Sequence, residues 1–336
     1  MRVKVGVGLD DLVFGMSQEM ASHIMGQPDK VIVDEPLRDI AYWFNRKQIQ
    51  LIFDQSEDYR LYSMVIFNPS VELFDQRVIG RTKSEILDFL RVNGCSCFRY
   101  EDYDLFETVH CEELWSEFTF QFGRLRSLTI SPLFDDDENI VWPVLGDLGR
   151  SLDNGFDCLD VCNVADETPW EGVSMEVSLG RGVGDIVFGM LREDVIQIMG
   201  EPDKVLDSDD DVVIYSYDEQ MLLVKFDMEE AGRLYSLDVY NPQVILFGSK
   251  IIGVGKSDVL ALLDVNGYSD FVLDDYEYFD TVYCRDMRST LRFRFDALTD
   301  IEFSPLSNSD HEPIWPLLMN STPCHGDTYD PHRFPS

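Results

Sequence analysis

Short amphipathic segments alternate with strand-like runs along the chain. Between Arg192 and Met199 the apolar residues have helical spacing, acidic residues occupy the first turn, and Gly200 and Pro202 follow as a stop, which predicts a helix. Three strand-like runs come next, at residues 212–215, 221–226 and 234–240. The first half of the chain has the same layout, with Ser17 as the expected N-cap of its helix.

The same order then occurs a second time within each half. Residues 256–263 predict another helix capped by Ser257, and residues 83–90 are its counterpart in the first half. Further strand-like runs follow at about 275–279, 281–284 and 290–295, with 301–303 as a candidate extra strand. Each half is therefore expected to hold two units, each made of one helix and three antiparallel strands.

The two halves are copies of one another. Phe14-Gly15-Met16 recurs as Phe188-Gly189-Met190, and Met25-Gly26-Gln27-Pro28-Asp29-Lys30-Val31 recurs at residues 199–205, both at an offset of 174. After one deleted residue the match continues at an offset of 173, as far as Trp142-Pro143 and Trp315-Pro316. A register kept over so long a stretch predicts a duplicated domain.

The expected fold is α+β, with two tandem duplicated domains, each of two helix-plus-antiparallel-sheet units. The expected boundaries are 1–143 for the first repeat domain, 144–178 for a linker, 179–320 for the second repeat domain and 321–336 for an irregular tail.

Composition adds a strong acidic bias. The 336 residues include 27 Lys and Arg against 63 Asp and Glu, a formal net charge of −36. Direct binding to nucleic acid is excluded, because a protein that neutralises phosphates needs a basic face, and anionic membranes are disfavoured for the same reason. The N-terminus is quickly acidic and does not resemble a signal peptide, so the expected location is the cytoplasm.

Motifs for catalysis, metal ions and cofactors are not evident. The seven cysteines are expected to be reduced thiols, and neither Cys95-Ser96-Cys97 nor the pair Cys158 and Cys162 has zinc-site spacing. The five histidines fall in no metal or nucleophile motif, and residues 180–184 lack the glycine spacing of a phosphate loop. The sequence thus indicates a binding protein with no catalytic residue, no metal and no cofactor, and not an enzyme.

Two acidic segments of the second copy are the candidate partner-binding site. Residues 207–218 resemble a calcium loop, but its sixth position is Val212 where glycine is needed, which leaves a solvated hairpin turn or an acidic recognition loop. In residues 274–280, carboxylates alternate with tyrosines, which favour interfaces; in the simpler interpretation the rings face the core and the acids face water. The candidate residues are Asp207, Asp209, Asp210, Asp211, Asp274, Asp275, Tyr276, Glu277, Tyr278 and Asp280.

The motif of Phe-Gly-Met, an amphipathic helix and Met-Gly-x-Pro-Asp, at 14–29 and 188–203, resembles one found in small bacterial α+β proteins. Related architectures are outer-membrane assembly lipoproteins of the BamE type and tandem-repeat β-lactamase inhibitory proteins. The whole acidic, two-copy chain is similar to bacterial immunity proteins, including those that neutralise type VI secretion effectors. That resemblance implies an inhibitor that covers the cleft of a cognate toxin, expected to be a basic nuclease. The alternative is a non-enzymatic interaction scaffold or assembly module.

Overall fold

The computed structural model describes residues 1–34, 39–135, 137–144, 174–208, 211–276 and 278–317, and for residues 207 and 208 it describes the backbone. The expected tail, residues 321–336, and most of the expected linker lie outside these ranges.

Four α-helices lie in the described residues, two in each copy. They are α1 (Gln18–Met25), α2 (Lys83–Val92), α3 (Arg192–Met199) and α4 (Lys256–Val265). Ser17 caps α1 as expected, its side chain accepting a hydrogen bond from the backbone N–H of Met20 at 3.2 Å. The cap expected at Ser257 is wrong, since Gly255 occupies the N-cap position of α4.

The strands of the first copy have two to seven residues. They are β1 (Val3–Lys4), β2 (Gly8–Leu9), β3 (Leu12–Val13), β4 (Lys30–Val33), β5 (Ile40–Phe44), β6 (Ile49–Asp54), β7 (Arg60–Ile66), β8 (Glu72–Leu73), β9 (Gln76–Arg77), β10 (Phe98–Asp102), β11 (Glu107–Cys111), β12 (Ser116–Gln121), β13 (Arg124–Ile130), β14 (Leu133–Phe134) and β15 (Ile140–Val141). Their side chains alternate between the two faces of the sheet. In β12, for example, Phe118 and Phe120 are buried while Glu117 and Thr119 are half-buried.

The second copy has nearly the same sequence of strands. They are β16 (Val177–Ser178), β17 (Gly182–Val183), β18 (Ile186–Val187), β19 (Lys204–Ser208), β20 (Val212–Tyr217), β21 (Leu222–Asp227), β22 (Arg233–Val239), β23 (Ile245–Leu246), β24 (Ser249–Lys250), β25 (Phe271–Asp275), β26 (Asp280–Cys284), β27 (Ser289–Arg294) and β28 (Ala297–Phe303). Strand β16 pairs with β17 as β1 pairs with β2, so Val177 takes the place that Val3 has in the first copy.

One eight-stranded antiparallel sheet forms the centre of each copy. The order is β10-β11-β12-β13-β7-β6-β5-β4 in the first copy and β19-β20-β21-β22-β28-β27-β26-β25 in the second. The four strands after each helix form a meander, and two meanders join edge to edge where Thr129 of β13 pairs with Val65 of β7, and Glu302 of β28 with Asp238 of β22. Each helix is therefore followed by four strands. The predicted three omitted the first strand of each first meander, such as β19, and the strand expected to start at about residue 275 instead ends there, as β25.

The expected α+β class is wrong, because the described chain is predominantly β. The helices have only eight or ten residues, two to three turns, whereas the strands supply most of the backbone pairing. The two meanders of each copy also share one sheet rather than standing as separate units, because β7 and β13 leave no free edge between them.

The helices cover one face of each sheet. In the first copy Ala21 and Met25 of α1 and Ile86 and Leu90 of α2 belong to the same buried cluster as the apolar side chains of the central strands. Fully buried members on those strands are Leu51, Phe53, Met64, Phe118 and Leu128. Burial of each such side chain contributes about 1.5 to 3 kcal/mol relative to exposure, so this face provides most of the stabilisation.

The repeated Phe-Gly-Met motif positions a buried turn. Phe14 and Met16 are completely buried, and Gly15 between them has φ +86°, a conformation that glycine adopts without strain. A Cβ atom on Gly15 would lie 3.1 Å from the ring of Trp142, and one on Gly189 would lie 3.1 Å from Trp315. The Phe-Gly-Met and Trp-Pro repeats of the two copies therefore match because they pack against each other.

Substitution of Gly15 by alanine should destabilise the protein by about 1 to 2 kcal/mol from backbone strain, with an added cost from contact with Trp142. Gly26→Ala is the matched control, because Gly26 has φ +85° but nothing within 4 Å of its added Cβ. Urea unfolding of both variants separates the two costs. Equal losses in the two variants would show that contact with Trp142 plays no part.

Candidate functional site

Two β-hairpin tips, one in each copy, present exposed aromatic side chains. The first tip (residues 103–106) joins β10 to β11, and the second tip (residues 276–279) joins β25 to β26. Tyr103 stacks on Phe106 with ring centroids 4.9 Å apart, and Tyr276 stacks on Phe279 at 5.0 Å. Both tips have the same turn, since the tyrosine N–H donates to the phenylalanine carbonyl at 2.9 Å and 3.0 Å. The two copies thus share the same stacked ring pair at this turn.

The tip side chains are open to solvent. Tyr103 is 49% exposed, Tyr276 is 50% exposed and Tyr278 is 47% exposed. Asp104 and Asp274 are exposed on the same hairpins. An exposed ring offers contact area to another protein, and a carboxylate beside it can pair with Arg or Lys.

A lysine from the other copy anchors the base of each tip. Lys204, at the start of β19, lies 2.8 Å from Glu107 and 3.5 Å from Asp102 of the first copy. Lys30, at the start of β4, makes an ion pair with Asp275, lies 3.6 Å from Asp280 and donates to the Tyr276 carbonyl at 2.6 Å. The contacts are reciprocal, as in the symmetric interface of a twofold dimer.

The carboxyl groups of Asp275 and Glu107 at these bridges are held in their ionised forms. Lys30 lowers the pKa of the Asp275 carboxyl through a direct hydrogen bond. Burial opposes ionisation of Glu107, but hydrogen bonds from Lys204 and Lys83 still hold its pKa below the ordinary value. Lys83 and Lys256 make the same contact within their own copies, with Glu107 and Asp280 respectively. Each tip is therefore fixed at its base by two lysines.

Aromatic side chains pack where the copies meet. The ring of Phe295, in the turn between β27 and β28, lies 4.6 Å from Trp43 and 5.3 Å from Phe67 of the first copy. Phe122, which is equivalent to Phe295, lies 5.0 Å from Tyr240 of the second copy. These contacts and the lysine bridges join the two copies in the described part of the chain.

A pocket of about 230 Å³ lies beside this contact. Its lining comes from both copies and includes Lys30, Trp43, Asp275, Asp280 and Asp296. The indole N–H of Trp43 is buried there without a hydrogen-bond partner in the described structure. Burial raises the pKa of the Asp296 carboxyl, and Asp280 and Asp29 raise it further against the opposing charge of Lys256. The charged residues of the lining are thus four aspartates and two cations, Lys30 and Arg294.

The structure places the predicted site residues in two separate regions. Asp274, Asp275, Tyr276, Tyr278 and Asp280 lie together at the second tip. Asp211 is exposed just before β20, at the other edge of the same sheet and about five strand spacings away, on the order of 25 Å. Asp209, Asp210, Glu277 and the side chain of Asp207 lie outside the described residues.

Two of the predicted carboxylates are ion-paired with lysines in the described part of the chain. Asp275 and Asp280 are ion-paired with Lys30, and Asp280 also lies 3.0 Å from Lys256. Their substitution would disturb the contact between the copies as well as any partner. The candidate residues were taken from the second copy, although the acidic segment 101–104 of the first tip is equivalent to the second tip at an offset of 173, and Leu105 and Phe106 were not among the predicted residues.

The second copy carries an ionic network on the sheet face opposite its helices. Lys225 Nζ lies 2.9 Å from Asp238 Oδ2 and 3.3 Å from Glu302, and Arg292 lies 2.6 Å from both Asp300 and Glu302. Asp238 and Asp300 are each only 4% exposed. Burial raises the pKa of Asp238 against the opposing charge of Lys225. The network is thus compact and partly desolvated.

The first copy has uncharged side chains at all five equivalent positions. At an offset of 173, the residues Lys225, Asp238, Arg292, Asp300 and Glu302 correspond to Ile52, Val65, Thr119, Ser127 and Thr129. The same sheet is therefore built with and without charge, so the fold itself does not require the network.

Loss of one member of the network should cost more than loss of all five. Lys225→Ile leaves the buried Asp238 carboxylate without its 2.9 Å partner and should destabilise the protein by about 3 kcal/mol. Replacement of all five residues by those of the first copy should change stability by about 1 kcal/mol or less, or increase it. Denaturant unfolding measures both, and a fivefold variant as unstable as the single one would contradict the reasoning.

Comparisons with known proteins give no family. No protein-family model matches the chain, and no curated protein matches it.

None of the described helices combines the length and the apolar character needed to cross a membrane.

Distant likenesses occur among solved structures. An extracellular protein containing an SCP domain from Bacillus anthracis is 14% identical with a TM-score of 0.26, and the match covers 35% of this chain and 43% of that one. A cysteine-rich secretory protein from Staphylococcus aureus is 10% identical with a TM-score of 0.24, over 35% and 44% of the two chains. A DUF4309 family protein from Bacillus subtilis is 12% identical with a TM-score of 0.25, over 34% and 78%. The matches span less than half of the first two proteins, and likeness at this level does not assign the chain to a family.

Proposed function

We propose that the protein is an inhibitor that binds a basic protein partner through its two hairpin tips and acts as an immunity protein against a cognate bacterial toxin. The observation that carries the proposal is the repeated tip, in which an exposed tyrosine stacks on a phenylalanine among carboxylates in both copies. The role we propose for the tips is to bind a partner protein, not to catalyse a reaction.

The geometry of the tips suits an interface that is formed before the partner arrives. Each tip is held by two lysines at its base, so that its exposed rings lose little freedom on binding. Tyrosine and phenylalanine rings in that setting supply contact area, whereas Asp104 and Asp274 remain exposed to pair with cations of the partner.

The charge of the whole chain specifies the kind of partner. A protein of net charge −36 attracts a basic surface and accelerates encounter with it. A nuclease presents such a surface to its substrate, and the carboxylates of the tips would occupy the positions of phosphates in its cleft. The partner class is therefore a basic nuclease effector, and we place the interaction in the cytoplasm, where the thiols described in the protein stay reduced.

Identification of the partner comes first. The tagged full-length chain is used to capture proteins from its native cell at low and at high salt, and each captured protein is then expressed alone. We expect to capture one basic protein whose binding is weaker at high salt. Expressed alone it should arrest growth, and coexpression of this chain should restore growth. If no captured protein is toxic, or if coexpression does not restore growth, the inhibitor proposal is wrong and an interaction scaffold becomes the better interpretation.

Tip variants then locate the contact. Tyr103→Ala and Tyr276→Ala should each lower the affinity for the captured partner by about 30-fold, mainly through faster dissociation, as expected for aromatic anchors. Asp104→Lys and Asp274→Lys should instead slow association, with the effect fading at high salt. Surface plasmon resonance separates the two rates.

The chain offers a matched control for these variants. Val92 and Val265 are equivalent residues at the ends of α2 and α4, with exposures of 87% and 84%, so Val92→Ala and Val265→Ala remove exposed apolar groups away from the tips. They should leave both rates unchanged. Tip variants that behave like these controls would exclude the tips as the binding surface.

A further inference from the structure

Two thiols and a carboxylate converge in the first copy, behind α2. Cys95 follows that helix, Cys111 is the last residue of β11, and Glu113 lies in the 3-10 turn after it. One ligand atom from each of the three residues lies within 4.8 Å of the other two, and Cys111 Sγ is 3.5 Å from Glu113 Oε2. The sequence offered no metal-ligand spacing here, because the fold brings Cys111 from a different strand.

The carboxylate is held in place by the neighbouring loop. Glu113 Oε1 accepts hydrogen bonds from Ser96 N–H at 2.7 Å, from the Ser96 hydroxyl at 2.9 Å and from Cys97 N–H at 3.0 Å. Although burial opposes the shift, these bonds lower the pKa of Glu113 to about 2, whereas burial raises the pKa of the Cys95 and Cys111 thiols. The other oxygen, Oε2, is left on the side of the thiols, in the manner of a ligand oriented by its neighbours.

We propose that Cys95, Cys111 and Glu113 form a binding site for a thiophilic divalent cation of the zinc type. Tetrahedral zinc with Zn–S bonds of about 2.3 Å and Zn–O bonds of about 2.1 Å places its donors about 3.5 to 3.8 Å apart, so a small contraction closes the triangle around an ion. The two thiols lose their protons to solvent on binding, and the ion exchanges hydration waters for the three ligands. Because Glu113 is exposed, the fourth position faces solvent.

The second copy shows what this region looks like without such a site. The residues equivalent to Cys95, Cys111 and Glu113 are Tyr268, Cys284 and Asp286, which provide one thiol. Tyr268 packs on Phe247 with ring centroids 5.4 Å apart. Packing at this position is thus satisfied by an aromatic ring in one copy, whereas the other copy has a buried thiol facing a second thiol.

The test is cobalt and zinc binding by the reduced, full-length chain in which Cys158, Cys162 and Cys324 are serine. We expect one equivalent of Co(II), a sulfur-to-cobalt charge-transfer band, displacement of the band by Zn(II), and a higher melting temperature with the metal. Cys111→Ser should abolish tight binding, and Glu113→Gln should weaken it at least tenfold while the band remains. Cys284→Ser is the control and should bind as the parent chain does.

A measurement on the parent chain tests the proposal without relying on variants that could misfold. X-ray absorption at the zinc edge counts the ligands directly, and the proposal requires two sulfur neighbours with oxygen completing the shell. It is overturned if the parent chain binds no Co(II) at micromolar concentration, if the zinc has no sulfur neighbours, or if Cys284→Ser loses the band. Formation of a disulfide between Cys95 and Cys111 with no metal uptake under reducing conditions would also overturn it.

Discussion

Pairing of the two central strands in each copy is the constraint on which the rest of the structure depends. A four-stranded meander with a short helix on one face would keep an open edge, but β7 and β13, like β22 and β28, close that edge on each other. The same β-bulge occurs beside the central pair in all four meanders, between residues 52 and 53, 119 and 120, 225 and 226, and 292 and 293. Each bulge adds local twist, so the meanders curve alike and their hairpins end in equivalent places.

That equivalence turns a tandem duplication into an internal dimer. Because the two copies are nearly identical in backbone, a contact that is favourable once is made twice, which explains why Lys30 and Lys204 each reach a hairpin of the other copy. Both charged residues of the repeated Pro-Asp-Lys sequence have a structural role, the lysine in this bridge and the aspartate in a turn. Its aspartate accepts a backbone hydrogen bond at 2.7 Å in the turn after the second strand, from Asn45 in one copy and from Asp218 in the other.

The sequence alone allowed the helices, most strands and the duplication to be predicted, because periodicity and repeats are local properties. The fold class was wrong, since edge-to-edge pairing of Val65 with Thr129 joins residues more than sixty positions apart and leaves no local pattern. At the candidate site, the aromatic and acidic residues of the second tip were identified from composition. Their lysine partners were not, although a cation repeated as Lys30 and Lys204 and carboxylates repeated as Glu107 and Asp280 are what a reciprocal bridge requires.

Duplication also explains how one copy can acquire chemistry that the other lacks. A homodimer must place every charge on both subunits, whereas in a fused pair the second copy can hold Lys225 and Asp238 while the first keeps Ile52 and Val65. The fold does not require this buried network, since uncharged side chains fill the equivalent positions on the sheet of the first copy. The network places two cations and three carboxylates on the second sheet where the first sheet has uncharged side chains, so the two sheets differ in charge at equivalent positions. Reciprocal contacts thus fix the arrangement of the two copies, whereas the charged residues found in only one copy make the two halves of the molecule chemically different.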